Sequence, residues 1–584
     1  MRIRFSAFSL PCLLAFLLPG ASLADNARFF EPTPGYTRVT ELPADLTGAV
    51  SSLEFHIYDA FEGSDAHSKA ERTMYDIGNK LHIDTREATL RRRMPFRQGD
   101  TTSIDALRET EKRLREEEFL ADAIIEVKRL PDSTFAVKVT TYDQWSTTLG
   151  VSLARKGGEW VGWFGPVESN VLGTGQRLGF FVSHDLERDS RWVDYSNTVF
   201  TPWQLSLLGQ YAWLSDGNSY ILSLSRPLRT REQHWGFTLS ASGYESAENH
   251  YLSGNDLERL YDEGRLDTAY RGMLGRTNVL WQWRRVQDRT FYAGVTRSYG
   301  RALKFSLTPF YQGNVRATVP GYGYVEVPGL RDSLGIPPPS YDSRHDQLLG
   351  TTFAVYRYAY KTVHNFRNLK WSENIETGWR LSLSAGLNQE WLGASDRDSW
   401  YAYTGVYNEA WHDALFLNSS ATLKHFVHPD GTLENGSGAG YAELQWKPIP
   451  ALATVAVGQY DRLFAQAGDH KLYLGEESGL LGYPNFYYAG DSRLLASLEQ
   501  RFFPPWEFGT IVPALAAFCI AGDAWDGGSV MPPAGGPHYA AGIGLRLGAT
   551  RSVQKVVNHF NLTWPLGEKH ASGPVFGVRA AKNL

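Results

Sequence analysis

The sequence predicts a transmembrane antiparallel β-barrel preceded by one small α/β domain. Three observations carry this reading. From Ser146 to the C-terminus, apolar and polar residues alternate in one short run after another. Trp235, Phe237, Leu239 and Ala241 alternate with Gly236, Thr238, Ser240 and Ser242, and Trp379, Leu381, Leu383, Ala385 and Leu387 alternate with Arg380, Ser382, Ser384, Gly386 and Asn388. That period of two belongs to strands with one apolar and one polar face. The N-terminus reads as an export signal, and no later apolar run approaches the roughly 20 residues a helical span requires. The composition, 13% aromatic with 56 glycines and 5 methionines, suits strands that are each only half apolar.

Periodicity alone fits a soluble sandwich as well as a barrel. The export signal, the number of successive hairpins (turns at Asp216-Gly217-Asn218 and Asp430-Gly431) and the tryptophans near strand ends (Trp213, Trp235, Trp379, Trp564) select the barrel. A sheet of this size in lipid must also close, because only closure gives every backbone N–H and C=O a partner. The alternation yields roughly 16 to 20 runs, and an even count is expected.

Residues 1–24 form the signal peptide: Arg2 and Arg4, an apolar segment over residues 8–18, then Ser22-Leu23-Ala24 before the cleavage point. Cys12 leaves with it, so Cys519 is the only cysteine of the exported chain and no internal disulfide is expected. With no Cys/His cluster, neither a metal site nor a cofactor is expected. A net charge of −5 without a basic stripe argues against nucleic acid as a partner. The scattered histidines match no nucleophile or metalloenzyme motif, so no catalytic residues are expected and the chain does not read as an enzyme.

Residues 25–49 carry Pro32, Pro34 and Pro43 and read as a tether. Residues 50–143 read as the α/β domain. Leu53, His56 and Tyr58 lie in a strand-like run, and Asp84-Thr-Arg-Glu87 has capping-box spacing ahead of Ala88 and Leu90, in a helix ending by Pro95. Thr102 is placed to cap a second helix, with Ile104, Leu107 and Leu114 on its buried face and Glu109, Lys112, Arg115 and Glu116 on its solvated one. Strands over 123–127 and 135–139 follow, joined by Pro131-Asp132-Ser133. This order resembles a polypeptide-transport-associated (POTRA) domain, most specifically in Asn79-Lys-Leu-His-Ile-Asp-Thr85, Gly99-Asp100, residues 109–115 and Asp143-Gln-Trp145.

Residues 146–584 form the barrel, and two of its segments stand out. Glu168-Ser-Asn170 followed by Leu172-Gly173-Thr-Gly175 is glycine-rich; phosphate binding would need a strand-to-helix junction, but residues 177–182 read as another strand. The second segment begins as a loop containing Gly479, Gly482, Pro484 and Gly490 with Tyr483, Phe486, Tyr487 and Tyr488 among them. It continues as a strand with Leu494, Ala496, Leu498 and Phe502 on one face and Leu495, Ser497, Glu499 and Arg501 on the other.

Both segments resemble conserved parts of the BamA/TamA-like outer-membrane assembly factors, the bacterial surface antigen family of POTRA domain plus C-terminal β-barrel. The resemblance implies about sixteen strands and a long extracellular loop whose tip, here Leu480, Leu481, Gly482 and Tyr483, folds into the lumen. Glu499 and Arg501 match the following strand. The family's tip arginine is replaced by Leu481, and its lumen-facing aspartate partner by Ile520, an apolar pair in place of an ionic one; an alignment shifted along the strand would make Asp523 the relevant acid instead. Glu499 then takes a donor from Tyr483 or from Arg501. Pro320 to Pro339 reads as a long loop.

By resemblance, the protein sits in the outer membrane of a diderm bacterium with its POTRA domain in the periplasm. It inserts or exports polypeptides, binding unfolded clients at the POTRA edge strand and at the barrel seam between residues 147–154 and 575–584, in contact with outer-membrane lipid and possible periplasmic accessory proteins. A dedicated partner-secretion pore and a passive barrel without insertase activity are the alternatives.

Overall fold

The structure, a computed structural model, describes residues 33–59, 73, 82–156, 159–230, 233–254, 262–264, 279–324, 343–364, 366, 372–395, 398–466, 470–506, 508, 511–527, 529, 532, 536–549, 557–567 and 573–581. The expected signal peptide lies outside them, as does most of the Pro/Gly-rich insert.

The N-terminal domain contains β1 (Thr37–Arg38), β2 (Thr47–Tyr58), α1 (Glu87–Arg93), β3 (Thr101–Ser103), α2 (Ile104–Arg115), β4 (Leu120–Arg129) and β5 (Phe135–Asp143). Its sheet runs in the order β1-β4-β5-β2-β3, with β2 parallel to β5 and the other pairs antiparallel. Ile104, Leu107 and Leu114 project from α2 into a core with Leu53, Ile125 and Val137. Glu111 is buried on the same helix, where its carboxylate accepts the Ile125 amide at 2.8 Å and pairs with Arg115 at 2.8 Å.

Three local expectations are corrected here. The residues read as a tether contribute β1, and Val39 behind it is fully buried, because the outer edge of β4 has open backbone groups and the buried Glu126 needs donors, which Thr33 supplies from its N–H (3.0 Å) and hydroxyl (2.7 Å). The capping box does not form: the Thr85 amide goes to Asp143 Oδ2 (2.7 Å) and the Arg86 amide to Gly173 O (2.9 Å), so the orphan donors ahead of α1 are satisfied by tertiary partners. Thr102 stays in β3, paired with Gly48, and Ser103 caps α2 by accepting from the Ala106 amide at 3.1 Å.

The barrel consists of β6 (Thr147–Lys156), β7 (Glu159–Glu168), β8 (Gln176–His184), β9 (Asp189–Asn197), β10 (Ser206–Leu214), β11 (Gly217–Arg226), β12 (Trp235–Leu252), β13 (Val279–Tyr299), β14 (Lys304–Tyr324), β15 (Ser343–His364), β16 (Ser372–Asn388), β17 (Ser399–His412), β18 (Leu415–Val427), β19 (Leu433–Ile449) and β20 (Leu452–Phe464). A small ribbon of β21 (Leu472–Leu474) and β22 (Tyr488–Gly490) interrupts it, and β23 (Ser492–Phe502), β24 (Ile511–Trp525), β25 (His538–Ala549), β26 (Val557–Leu566) and β27 (Val575–Ala581) complete it.

All twenty barrel strands close into one antiparallel ring. The count of about sixteen is therefore too low: it came from resemblance, whereas the alternating runs themselves reached the observed number. The strands β12 to β16 run 17 to 22 residues, beyond the roughly 9–11 needed to cross a bilayer. The insert begins later than read, since β14 continues through Pro320 to Tyr324; the register shift opposite Arg284/Arg285 forms a bulge there, where a strand tolerates proline.

The alternation read from sequence is the inside-outside alternation of the wall. Trp235, Leu239, Trp379, Leu383, Leu387, Leu498 and Phe502 are exposed on the outer face, and Ser382, Asn388 and Arg501 are buried on the inner one. Cys519 lies outward with Leu515 and Ala517, exposed on an apolar band suited to lipid. Reconstituted in bilayers, Cys519 should resist a water-soluble maleimide and react after denaturation; rapid labelling in the membrane would overturn this register.

Candidate functional site

The loop between β20 and β23 emerges at the barrel end opposite the N-terminal domain and turns back inward. Its ribbon pairs Leu472 with Gly490 and Leu474 with Tyr488. Beyond the ribbon, the Leu480 amide bonds Gly475 O (2.9 Å) and the Glu477 amide bonds the fully buried Asn485 side chain (3.0 Å), so the tip is internally satisfied. Gly482 has φ +83°, and a Cβ there would press on Thr563 and Pro565 of β26.

Leu474, Leu480, Tyr483, Tyr487 and Tyr488 form one buried cluster with Phe518, Ile520 and Ala524 of β24 and Ala540 of β25; Leu481 packs on it, partly buried. The tip thus meets the wall through apolar contact, with the fully buried Leu480 at its centre. Tyr483 donates to Tyr539 O at 2.9 Å, and Tyr488 stacks on His538 at 4.0 Å. The loop also reaches the far wall: Phe486 stacks on Tyr251 at 4.5 Å, the Tyr473 hydroxyl donates to Tyr251 O (3.2 Å), and the Gly254 amide donates to Tyr487 O (2.7 Å). Counting round the ring from β10, β12 is third and β23 twelfth, nine strands apart in twenty, so the loop crosses the lumen almost diametrically.

Glu499 and Arg501 face the lumen together, joined at 2.9 Å. Arg546 of β25 approaches the same carboxylate at 3.4 Å and donates to Asn561 of β26 at 2.7 Å. The donors to Glu499 are these wall arginines, while the Tyr483 hydroxyl is directed to Tyr539 O. Asp523, the acid of the shifted alignment, lies on the other parity of β24 from Ile520. Arginine does tie the loop to the wall, but from the wall: Arg493, pairing with Asp461 at 2.6 Å, donates to Tyr473 O at 3.0 Å. Its lumen parity with Leu495 and Glu499 was a signal the sequence reading passed over. Arg546 had no such local signal.

Closure is thin at one place. Among the described residues β27 pairs with β6 only at Val578↔Arg155, whereas the flanking ladders carry ten pairs (β6–β7) and seven (β26–β27). The Arg155 guanidinium adds one bond to Phe576 O at 3.3 Å. The loop abuts this seam from inside, since a Cβ on Gly577 of β27 would lie 2.7 Å from Glu476 Oε1.

The glycine-rich segment after β7 docks the N-terminal domain. Asn170 donates to Thr85 Oγ1 (2.9 Å) and accepts the Gly175 amide (2.7 Å), while Gly173 O accepts from the Arg86 amide and the Thr89 hydroxyl, both at 2.9 Å. Gly173 and Gly175 have φ of +70° and +65°, and a Cβ on them would strike Asp84 O and the Arg93 guanidinium. Arg93, buried, donates to Gly175 O (3.2 Å), pairs with Glu117 (2.9 Å) and lies over the Phe119 ring (4.8 Å). Beside this contact His82 Nε2 meets Asp143 Oδ2 at 3.2 Å, with Asp84 close by, although no His/acid cluster was read from sequence. Burial alone would lower the His82 pKa, but the Asp143 hydrogen bond and charge raise it; burial and nearby Asp59 raise that of Asp84.

No protein-family model matches the chain, and no curated protein matches it. Among solved structures it is similar to BamA from Haemophilus ducreyi lacking POTRA domains 1-3 (14% identity, 91% of this chain and 84% of that one, TM-score 0.33). It is also similar to CdiB from Acinetobacter baumannii (10%, 92% and 74%, TM-score 0.44) and CdiB from Escherichia coli (14%, 91% and 76%, TM-score 0.41). Likeness at this level assigns the chain no role.

Glu499→Gln should leave Arg546 and Arg501 short of a counter-ion and lower barrel stability by about 2 kcal/mol, less than the roughly 3–5 of a fully buried pair because the lumen is partly wet. In a urea-unfolding double-mutant cycle with Arg546→Gln, the coupling should exceed about 1 kcal/mol; strict additivity would mean the two groups do not interact.

Proposed function

We propose that the protein is an outer-membrane assembly factor or translocator that inserts or exports polypeptides, with a POTRA-like domain on the periplasmic side. The observation that carries this reading is the single ladder pair between β6 and β27 in a ring whose other ladders carry five pairs or more among the described residues. Two strand edges that part at low cost offer an incoming hairpin backbone partners inside the membrane, the one place where it finds no water to bond. The N-terminal domain supplies a second open edge. Beyond the three pairs at Thr47 to Ala49, the outer side of β2 has no strand partner among the described residues, leaving residues 52–58 able to take up an extended segment by strand addition. The driving force is then the client's own folding, and no bond-making chemistry is required.

The apolar tip does not by itself favour a passive barrel, since Glu499 keeps arginine partners on the wall and the loop keeps its lumenal seat.

The test is a seam lock. Arg155 and Val578 are directly opposed, within reach of a disulfide. Arg155→Cys with Val578→Cys in a Cys519→Ser background should block the activity until a reductant is added. Loss of many other outer-membrane proteins under the lock would identify an insertase, and loss of one secreted protein a dedicated pore. A locked barrel that leaves both untouched would contradict the reading.

A further inference from the structure

We propose that His82, Asp84 and Asp143 form a binding site for a divalent transition-metal ion at the junction between the N-terminal domain and the barrel. This inference is independent of the polypeptide-handling role. The three side chains come from the lead-in to α1 and the last residue of β5, 61 positions apart in sequence, and offer one imidazole nitrogen and two carboxylates whose ligand atoms all lie within 4.8 Å of one another.

The observation that points to an ion rather than a simple pair concerns the Asp143 carboxylate. Its side chain is 1% exposed; Oδ2 accepts the Thr85 amide at 2.7 Å and faces His82 Nε2 at 3.2 Å, but Oδ1 is buried without a hydrogen-bond partner among the described residues. A buried carboxylate oxygen with no donor is costly, and a cation shared with His82 and Asp84 would relieve it when Asp143 binds through both oxygens, Oδ2 already facing His82. The geometry is close to what an ion needs. Ligands about 2.0–2.2 Å from a tetrahedral zinc are separated by roughly 3.3 Å, near the 3.2 Å between His82 Nε2 and Asp143 Oδ2. Asp84 is exposed, so a change of rotamer suffices to bring it into range. The Thr85 amide holds Asp143 in orientation as an outer-shell donor does.

The donor set narrows the ion. An imidazole with two carboxylates suits Zn²⁺, Co²⁺ or Mn²⁺, whereas Mg²⁺ and Ca²⁺ prefer oxygen alone. Binding replaces the proton shared between Nε2 and the carboxylate, which is released to solvent. The ion would join two segments that both bear on the docking contact: Thr85 is bonded to Asn170, Asp84 O lies against Gly173, and Asp143 is where the chain leaves the domain for β6. Its consequence is a stiffer angle between domain and barrel.

The experiment titrates the processed full chain, purified in detergent micelles without a histidine tag, with Zn²⁺ by calorimetry and with Co²⁺ by visible absorption. One Zn²⁺ per chain is expected, together with Co²⁺ bands of a low-coordinate nitrogen/oxygen site. His82→Gln keeps a donor toward Asp143 but is a poor metal ligand, and Asp84→Asn alters only an exposed group, so both should fold. Losing an outer-shell partner already costs about 10- to 100-fold in affinity, so each variant should weaken Zn²⁺ binding by at least about tenfold. Absence of Zn²⁺ and Co²⁺ uptake by the wild-type chain, or equal uptake by the wild type and both variants, overturns the site.

Discussion

The constraint on which the rest of the structure depends is that a backbone group in hydrocarbon must find its hydrogen bond within the protein. It explains why twenty strands form a single ring, why the apolar residues face outward, and why the polar ones are gathered inside. An unpaired amide or carbonyl in an apolar medium costs about 2–7 kcal/mol depending on the reference state, so a ladder reduced to one pair at the β27–β6 boundary marks where that constraint is least well met. The lumenal loop abuts that weak boundary from inside, where Glu476 lies against Gly577 of β27.

The lumen is organised around two separate solutions to burial. The loop tip contributes leucine and tyrosine side chains to an apolar cluster with β24 and β25, a contact that does not depend on charge. Within the wall the ions pair with one another, Glu499 with Arg501 and Arg546 and Asp461 with Arg493, and Arg493 also donates to Tyr473 O of the loop. Replacing both partners of a buried ion pair by apolar groups can be neutral, whereas replacing one leaves an uncompensated charge. Leu481 and Ile520 stand where the resemblance places such a pair, and both lie at the same apolar cluster. At the other end of the barrel, Gly173 and Gly175 are glycine because the N-terminal domain sits where a side chain would be.

Much of this was legible in the sequence because period-two alternation is a local signal. The outward rows at Trp235 and Trp379, the lumenal parity of Glu499 and Arg501, and the buried face of α2 follow from spacing alone. What was illegible involved partners distant in the chain. Asp84 and Glu87 have the spacing of a capping box, but Asp143 and Gly173 satisfy the amides first. Residues with the composition of a tether become an edge strand because Glu126 and β4 are there to receive them. Arg546 reaches Glu499 from two strands away, which no single-strand pattern encodes.

The most direct test of this account is amide hydrogen exchange on the chain in lipid bilayers, resolved strand by strand. If closure rests on a thin seam, the amides of β6 and β27 that face one another should exchange markedly faster than those of β12 to β20, whose ladders each carry at least eleven pairs. Equal protection around the whole ring would mean that the seam is as well bonded as the rest, and would contradict the central claim.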